Sequence, residues 1–349
     1  MVNRGHISQE QIGEIEIAGL DETTLIFLPP PNEIQYKLQF SSSPRLSGFK
    51  IGSHRATPKY QAILDIPVGG IGPKEAFKFF RESSASYEQG QVTHRGNTQI
   101  SNPISPLKQT LISFALHGSS NDDVSAVPEI KGLFREFQYI LRKVLPKEIA
   151  FHKLNVRSPE IIVETGTGDF PIDGASGGLM SLIQVSWQIF LYSWNTDGKC
   201  VVLIDEPENH LHPSLQREFL ARLVQAFQDV QFIVATHSPF IICSVKDSYI
   251  YALRYQPFGE NGMADDDKAV VISERIDLNK SVGTASKVLD EVLGVSVTIP
   301  IWAEEELAVI VGKFEKEQSD EVAIKNLRDD LASAGLSEFL PQAISRLLS

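Results

Sequence analysis

Two short apolar runs, each ending in polar residues, constrain the fold of this chain more than any other feature. The first is CVVLIDEP (200–207) and the second is VQFIVATHS (230–238). Between them, PSLQREFLARLVQAF (213–227) has the three- and four-residue apolar spacing of an amphipathic helix. Two buried strands joined by a helix predict parallel pairing through a right-handed crossover. We therefore expect an α/β fold with both strands buried on both faces.

Polar side chains follow both runs at the carboxyl ends of the predicted strands, where open parallel sheets bind ligands. Asp205 and Glu206 lie at the end of the first run, and Thr236, His237 and Ser238 lie at the end of the second. Carboxylates beside a core are costly unless their charge is compensated, and Mg²⁺ suits them because it prefers hard oxygen ligands. The pattern predicts that Asp205 holds the Mg²⁺ of a nucleoside triphosphate and that Glu206 accepts a proton from the attacking water.

The hydrophobic pattern divides the chain into four parts. Residues 1–72 alternate apolar and polar positions and predict an antiparallel β-meander, to which GFKIGSHR and AILDIPV add two short strands. Residues 73–147 have helical spacing and predict a helical insertion. Residues 148–255 contain a predicted hairpin, a strongly apolar helix and the two buried strands. Residues 256–349 predict a C-terminal helical region.

Three segments occur in an order that resembles a known family. In chain order, GASGG (174–178) resembles the signature motif of ABC-type ATPases, LIDEPENHLHP (203–213) resembles their Walker B strand and D-loop, and ATHSP (235–239) resembles their switch-histidine loop. The likeness is greatest to the RecF/OLD/SMC-like branch, whose members are frequent in genome-maintenance and phage-defence operons. The resemblance implies a P-loop NTPase core of the ABC type, bearing the meander, the helical insertion and the C-terminal helices.

The signature-like segment implies a contact across a dimer. By the resemblance, Ser176, Gly177 and Gly178 would contact the γ-phosphate of ATP held by the opposite subunit. The start of the helix that follows offers free N–H groups and a positive dipole end to such an anion. Ala175 and Leu179 depart from the usual Leu-Ser-Gly-Gly-Gln form, which weakens the expected contact.

The other roles that the resemblance implies lie around the two strand ends. Asp205 would be the metal residue and Glu206 the base, while His237 would hydrogen-bond the γ-phosphate and report its presence. Asn209 and His210 would belong to the D-loop that crosses the dimer. The implied cofactors are ATP and Mg²⁺.

The phosphate-cradling loop G-x-x-x-x-G-K-[ST] that such ATPases need does not occur in the sequence. The nearest substitute is GGIGPK (69–74), but Pro73 lacks an N–H and Glu75 stands where Ser or Thr should bind Mg²⁺. A glycine turn into a proline-started helix is the simpler interpretation. Three explanations stay open: a shortened form of a complete ATPase, which we favour, a cradle supplied by a partner, or a degenerate ATPase.

Charge and cysteine content exclude several classes of protein. Lys and Arg number 32 against 44 Asp and Glu, which gives a net charge of −12. This charge excludes a nucleic-acid-binding protein whose surface is broadly basic, though not a local basic patch. Cys200 and Cys243 are too few for a disulfide framework or a four-thiolate zinc site, and both should be small buried hydrophobes. No apolar run of membrane-spanning length and no secretory signal occurs, so we expect no membrane contact and a cytoplasmic protein.

Two alternative interpretations concern individual residues. Ser176, Asp205 and His237 have the chain order of an α/β-hydrolase triad, and GASGG fits its G-x-S-x-G elbow, but no HGGG-type oxyanion motif accompanies them. His54 and Arg55 either contact nucleotide or DNA, or form a satisfied structural pair.

ATP hydrolysis in a composite dimer interface is the function that the sequence favours. Charge stabilisation and water positioning would accelerate the reaction. The dimer would close on ATP and reopen after hydrolysis. The expected partners are a second copy of the chain, a nuclease or other effector protein, and DNA or RNA. The alternative is a non-hydrolysing structural subunit.

Overall fold

A computed structural model describes the chain in two units, Met1–Thr236 and His237–Ser349. Each unit has its own strands, helices and buried apolar residues. The residues described are 10–15, 24–28, 39–41, 46–57, 59–63, 65–66, 70–88, 102–120, 123, 125–196, 199–246, 248–257, 269–276, 288–289, 292–293, 301–314, 321–341 and 343–344.

The first unit contains the strands and helices from which the predicted core is built. Its strands are β1 (Glu10–Ile15), β2 (Thr24–Leu28), β3 (Gln39–Phe40), β4 (Gly48–Ile51), β5 (Phe151–Arg157), β6 (Glu160–Thr165), β7 (Phe170–Pro171), β8 (Cys200–Asp205) and β9 (Val230–Ala235). Its helices are α1 (Pro73–Glu88), α2 (Ile104–His117), α3 (Leu133–Val144), α4 (Gly177–Trp194) and α5 (Pro213–Ala226).

The predicted α/β class is confirmed by a three-stranded parallel sheet in the order β4-β8-β9. Strand β8, helix α5 and strand β9 are the strand–helix–strand unit expected from the sequence. Strand β4 was expected to extend the meander, but it pairs in parallel with β8, from Gly48 opposite Val201 to Ile51 opposite Ile204. The antiparallel meander is formed by β1, β2 and β3.

One face of the parallel sheet is exposed, so the expectation that its strands are buried on both faces is wrong. Lys50, Leu203 and Ile233 lie side by side in one row. All three are exposed, Leu203 by 41% and Ile233 by 52%. The opposite face contains the buried Ile51 and Ile204. The apolar pattern of a strand does not reveal which face a neighbouring element covers.

The helices confirm most of the predicted pattern, but one helix begins later in the chain than predicted. Helix α1 begins at Pro73 as predicted. Helix α3 begins only at Leu133, because Gly132 adopts the left-handed region with φ 82° and ends the preceding turn. In α4, Trp187 is fully buried and its ring lies 4.8 Å from that of Phe137, so this part of the apolar helix packs in the core, whereas Trp194 at its end is exposed.

A buried ion cluster joins α2 to the segment that precedes α4. The ammonium of Lys108, whose side chain is fully buried, lies 2.8 Å from Asp173 Oδ2 and 2.7 Å from Glu160 Oε2. It also donates to the backbone oxygen of Gln61 at 2.9 Å. Asp173 is fully buried and lies three residues before Ser176, so the cluster holds the approach to the signature-like segment.

The second unit contains a hairpin that the sequence did not predict. The unit begins with α6 (Pro239–Ile242), and β10 (Ile250–Pro257) then pairs antiparallel with β11 (Ala269–Ile276). Its later helices, Ile301–Phe314 and Glu321–Ser333, fit the expected helical region. The β-branched residues of AVVISERI were the available signal for β11. The four-part division of the chain stays a prediction.

Two smaller expectations concern the cysteines and membranes. Cys200 is buried as expected, but Cys243 is exposed. Partial burial of the thiol sulfur raises the pKa of both cysteines, although Cys243 as a whole residue is exposed. In the part of the chain that the structure describes, no helix has the length and apolar character that a bilayer crossing needs.

Lys108→Met should destabilise the first unit strongly, by about 3–5 kcal/mol, because the change leaves the carboxylate of Asp173 buried without its cation. Urea unfolding at neutral pH measures the effect. Lys78→Met is the matched control, since Lys78 is exposed on α1 beside Glu82 and should stay within about 0.5 kcal/mol of wild type. Equal stability of the two variants would show that the buried cluster contributes little.

Candidate functional site

The acid pair lies at the carboxyl end of β8, as predicted, and its two carboxylates have different partners. Asp205 Oδ2 lies 3.0 Å from the ammonium of Lys50, with the aspartate side chain about one-third exposed. Glu206 Oε2 accepts a hydrogen bond of 2.9 Å from the side-chain amide of Asn209. Each carboxylate is therefore directed by a neighbour, and Asn209, expected in the D-loop, contacts the expected base within the same chain.

The turn after β8, residues 206–210, contains two non-glycine residues in the left-handed region. Glu206 has φ 44° and His210 has φ 70°. Such conformations cost about 1–3 kcal/mol each and persist only where the surroundings impose them. The N–H of Glu206 donates to Ala235 at the end of β9, at 2.9 Å, and the N–H of Asn209 returns to the oxygen of Glu206 at 3.2 Å. We call residues 206–210 the acid turn.

Arg55 has the structural role that the sequence left as one of two alternatives. Its side chain is buried, and burial lowers its pKa to about 10, whereas the nearby carboxylates of Glu208 and Glu206 favour the charged form. Its acceptors are Ser181 Oγ at 3.0 Å and the backbone oxygens of Gly52 at 3.3 Å, Glu206 at 3.1 Å, Pro207 at 3.1 Å and Asn209 at 2.9 Å. Three of these five acceptors belong to the acid turn.

The signature-like segment begins helix α4 beside the acid turn. Ser176 is the residue before the helix, and its Oγ accepts a hydrogen bond from the N–H of Leu179 at 3.4 Å. A methyl group added at Gly177 would lie 3.9 Å from His210 Cβ, and one at Gly178 would lie 3.3 Å from the oxygen of His210. The structure therefore brings the Ser176–Gly178 segment against the acid turn.

A contact that sequence reasoning missed ties the second strand end to the acid turn. Thr236 Oγ1 donates to Glu208 Oε2 at 2.7 Å. The available signal was Thr236 in the polar run after the strand. His237 begins the second unit and is exposed, and its approach to the acids stays a prediction.

The acids fit a metal that is shared with a phosphate group better than a metal enclosed by protein. Among the described residues, no cluster of three or more His, Cys, Asp or Glu side chains could enclose an ion. Mg²⁺ at nucleotide sites is commonly held by one or two carboxylates, with phosphate and water oxygens completing its shell. The carboxylate of Asp205, which is not buried, can supply the protein part.

The segment GGIGPK (69–74), a possible substitute for the phosphate loop, forms the simpler of the two expected structures. Gly69 lies outside the described residues. Gly70 has φ 78°, and the N–H of Ile71 is donated to Ser113 Oγ at 3.1 Å rather than pointing to open space. The oxygen of Gly72 accepts from Ala76 at 2.9 Å in the first turn of α1. This is a glycine turn into a proline-started helix.

Gly178→Ala should be about 1 kcal/mol less stable than Gly177→Ala, because its methyl group presses on the His210 oxygen and the Leu215 side chain. Gly177→Ala is the matched control and should be at least as stable as wild type, since alanine loses less backbone entropy on folding. Thermal and urea unfolding of both variants measure the difference. Equal stability would mean that α4 and the acid turn are not in close contact.

Known proteins similar to this chain include a Septu protein and a retron probable ATPase. A stretch of 325 residues is 23% identical to the Septu protein PtuA of Bacillus mycoides (strain KBAB4), covering 91% of this chain and 39% of that protein. A stretch of 58 residues is 45% identical to the Retron Ec83 probable ATPase of Escherichia coli, covering 17% of this chain and 11% of that protein. The chain thus spans less than half the length of either relative.

Structural and family comparisons concern the core. The SMC head domain from Thermotoga maritima is similar with a TM-score of 0.31 and 14% identity, over 42% of this chain and 47% of that domain. Residues 75–243 match the family model described as "AAA domain, putative AbiEii toxin, Type IV TA system". Through these residues the chain is similar to AAA-domain proteins, which confirms the ATPase resemblance found in the sequence.

Proposed function

We propose that this chain binds MgATP at the carboxyl end of β8 and hydrolyses it at an interface between two copies of the chain. The observation that carries the proposal is the acid turn, which directs the Glu206 carboxylate through Asn209 and lies directly against the start of α4. An ATPase of this type needs a base, a metal carboxylate and an anion-binding helix end close together. In the first unit, Glu206, Asp205 and the start of α4 are the candidates for these three roles.

Each proposed role follows from the chemistry of its side chain. Glu206 accepts the proton of the attacking water, and its hydrogen bond from Asn209 limits the directions that the carboxylate can take. Asp205 supplies an oxygen to Mg²⁺, which neutralises phosphate charge when bound. His237 hydrogen-bonds the γ-phosphate and senses its loss.

The signature-like segment contributes to the other active site of the dimer. Ser176 and Gly177 are exposed at the start of α4, where free N–H groups and the helix dipole favour a phosphate. We propose that Ser176, Gly177 and Gly178 contact the γ-phosphate held by the second copy, with Asn209 and His210 next to them. The dimer closes on ATP and reopens after hydrolysis.

The phosphate cradle is the part that this sequence does not contain. The exposed row of Lys50, Leu203 and Ile233 offers the parallel sheet as a surface for a further element. We propose that the cradle is supplied by an element that covers this face, because a sheet buries an apolar face by packing it against another element.

The relatives favour a defence role for the assembly. Two similar proteins bear the names of Septu and retron systems. We propose that the chain acts in the cytoplasm as the ATPase subunit of a defence or repair assembly, where its opening and closing gates a nuclease or other effector protein in response to DNA or RNA.

A non-hydrolysing scaffold is the second candidate function. The ammonium of Lys50 already pairs with Asp205 Oδ2, the oxygen that Mg²⁺ would need. In a degenerate ATPase this ion pair would take the place of the metal, and the dimer would be held without turnover. Nucleotide binding with and without Mg²⁺ separates the two candidates, because only the ATPase gains affinity from the metal.

Glu206→Gln should abolish phosphate release while ATP stays bound, because glutamine keeps the shape of the base but accepts no proton at neutral pH. Phosphate release and equilibrium binding of labelled ATP measure the two effects on the chain together with the element that supplies the phosphate cradle. Glu218→Gln is the matched control, since Glu218 is exposed on α5 beside Arg222 and should leave both unchanged. Normal phosphate release by Glu206→Gln would remove the base role from this residue.

Lys50→Met should reduce the Mg²⁺ concentration that half-saturates ATP binding by roughly 1.5- to 5-fold, the range expected when an exposed ion partner no longer competes for Asp205. A Mg²⁺ titration at fixed ATP measures the shift. Asp205→Asn should abolish the Mg²⁺ dependence. A Lys50→Met variant with the same or a weaker Mg²⁺ response would show that the two cations do not compete for this carboxylate.

A further inference from the structure

Arg55 joins three parts of the first unit through a single planar group. Its Nε donates to Ser181 on α4, its Nη1 to Gly52 at the end of β4, and its Nη2 to the acid turn. Only 8% of the residue is exposed, and it lies outside the residues 75–243 that the family model covers.

The contacts of Nη2 are concentrated where the backbone is strained. They go to the oxygens of Glu206, Pro207 and Asn209, at 3.1, 3.1 and 2.9 Å. Glu206 itself is in the left-handed region, with φ 44°. Three carbonyl oxygens directed at one nitrogen repel each other unless a cation lies between them, so the charged guanidinium is what allows the turn to close.

A short chain of contacts continues from Arg55 to the expected base. The oxygen of Asn209 accepts from Arg55, and the side-chain amide of Asn209 donates both to Glu206 Oε2 at 2.9 Å and to the oxygen of Ser53 at 3.2 Å. Asn209 is therefore held at its backbone by Arg55 and at its side chain by the segment that carries Arg55. The direction of the Glu206 carboxylate depends on both contacts.

The same side chain is anchored in the helix that begins at the signature-like segment. Ser181 is buried five residues after Ser176, and one turn further along α4 Gln184 donates to the oxygen of Ala56 at 2.9 Å. The segment 52–56 is thereby attached to α4 on one side and to the acid turn on the other. A displacement of α4 would therefore move Arg55 and, through Asn209, change the direction of the Glu206 carboxylate.

We propose that Arg55 is a positioning residue for the hydrolysis reaction, which aims the Glu206 carboxylate through the acid turn and couples it to α4 through Ser181. The inference rests on the proposed function for its catalytic consequence. Its structural half, that Arg55 imposes the conformation of the acid turn, is independent of turnover. Arg55 contacts neither nucleotide nor metal in this role.

The test compares Arg55→Gln, Arg55→Lys, Ser181→Ala and wild type, each together with the element that supplies the phosphate cradle. Arg55→Gln should lower kcat for ATP at least tenfold and change KM less than twofold, because binding groups stay in place while the base loses its direction. Arg55→Lys should behave similarly, since one ammonium cannot span Ser181 and three carbonyl oxygens. Ser181→Ala should give a smaller loss of kcat. Arg142→Gln is the control, because Arg142 is exposed and also donates to a backbone oxygen.

Hydrogen exchange provides the readout that needs no turnover. The amides of Glu206, Asn209 and Leu211, which are bonded within and around the acid turn, should exchange faster in Arg55→Gln, while those of α2 and α3 stay protected. Faster exchange throughout the unit would overturn the inference by making Arg55 a general stabiliser. A raised KM with normal kcat, or full activity of Arg55→Lys, would also overturn it.

The proposed function and the role of Arg55 fail in different ways. A wild-type chain that binds and hydrolyses no ATP even together with the element that supplies the cradle contradicts the proposed function, and the exchange pattern then decides the structural role of Arg55 alone. Normal hydrolysis by wild type together with normal kcat in Arg55→Gln supports the proposed function and overturns the inference.

Discussion

Arg55 donates three hydrogen bonds to the backbone of the acid turn from a position that water scarcely reaches. A buried cation is costly unless acceptors surround it, and the five acceptors of Arg55 compensate that cost with good geometry. In return, the guanidinium allows Glu206 to keep a backbone conformation that a non-glycine residue rarely adopts. The direction of the expected base therefore depends on a residue about 150 positions earlier in the chain.

A second buried cation has a comparable role at the other side of the site. Lys108 is compensated by Asp173 and Glu160, and through Asp173 it holds the loop that leads to Ser176. The start of α4 and the acid turn are thus each fixed by one buried cation that comes from a distant element. Such buried cations add little net stability, but removing one leaves its buried partners uncompensated at a high cost in free energy.

The exposed face of the parallel sheet leaves room for the element that we propose supplies the phosphate cradle. Leu203 and Ile233 lie in the open while Ile51 and Ile204 on the other face are buried, so the sheet is a half-covered layer. Layers of this kind are normally completed by another element. The ion pair of Lys50 with Asp205 lies on the same side as this row, where metal, cradle and lysine would meet.

Local sequence determined the parallel strand–helix–strand unit, the start of α1 and the order of acid pair, D-loop-like residues and signature-like segment, because apolar period, proline and glycine act within a few residues. It also predicted where Asp205 and Glu206 lie, since polar residues at strand ends are a local pattern. Tertiary structure alone decided the pairing of β4 with β8, the exposed sheet face and the role of Arg55. These depend on contacts between residues far apart in the chain, where charge and hydrogen-bond geometry, and not periodicity, select the partner.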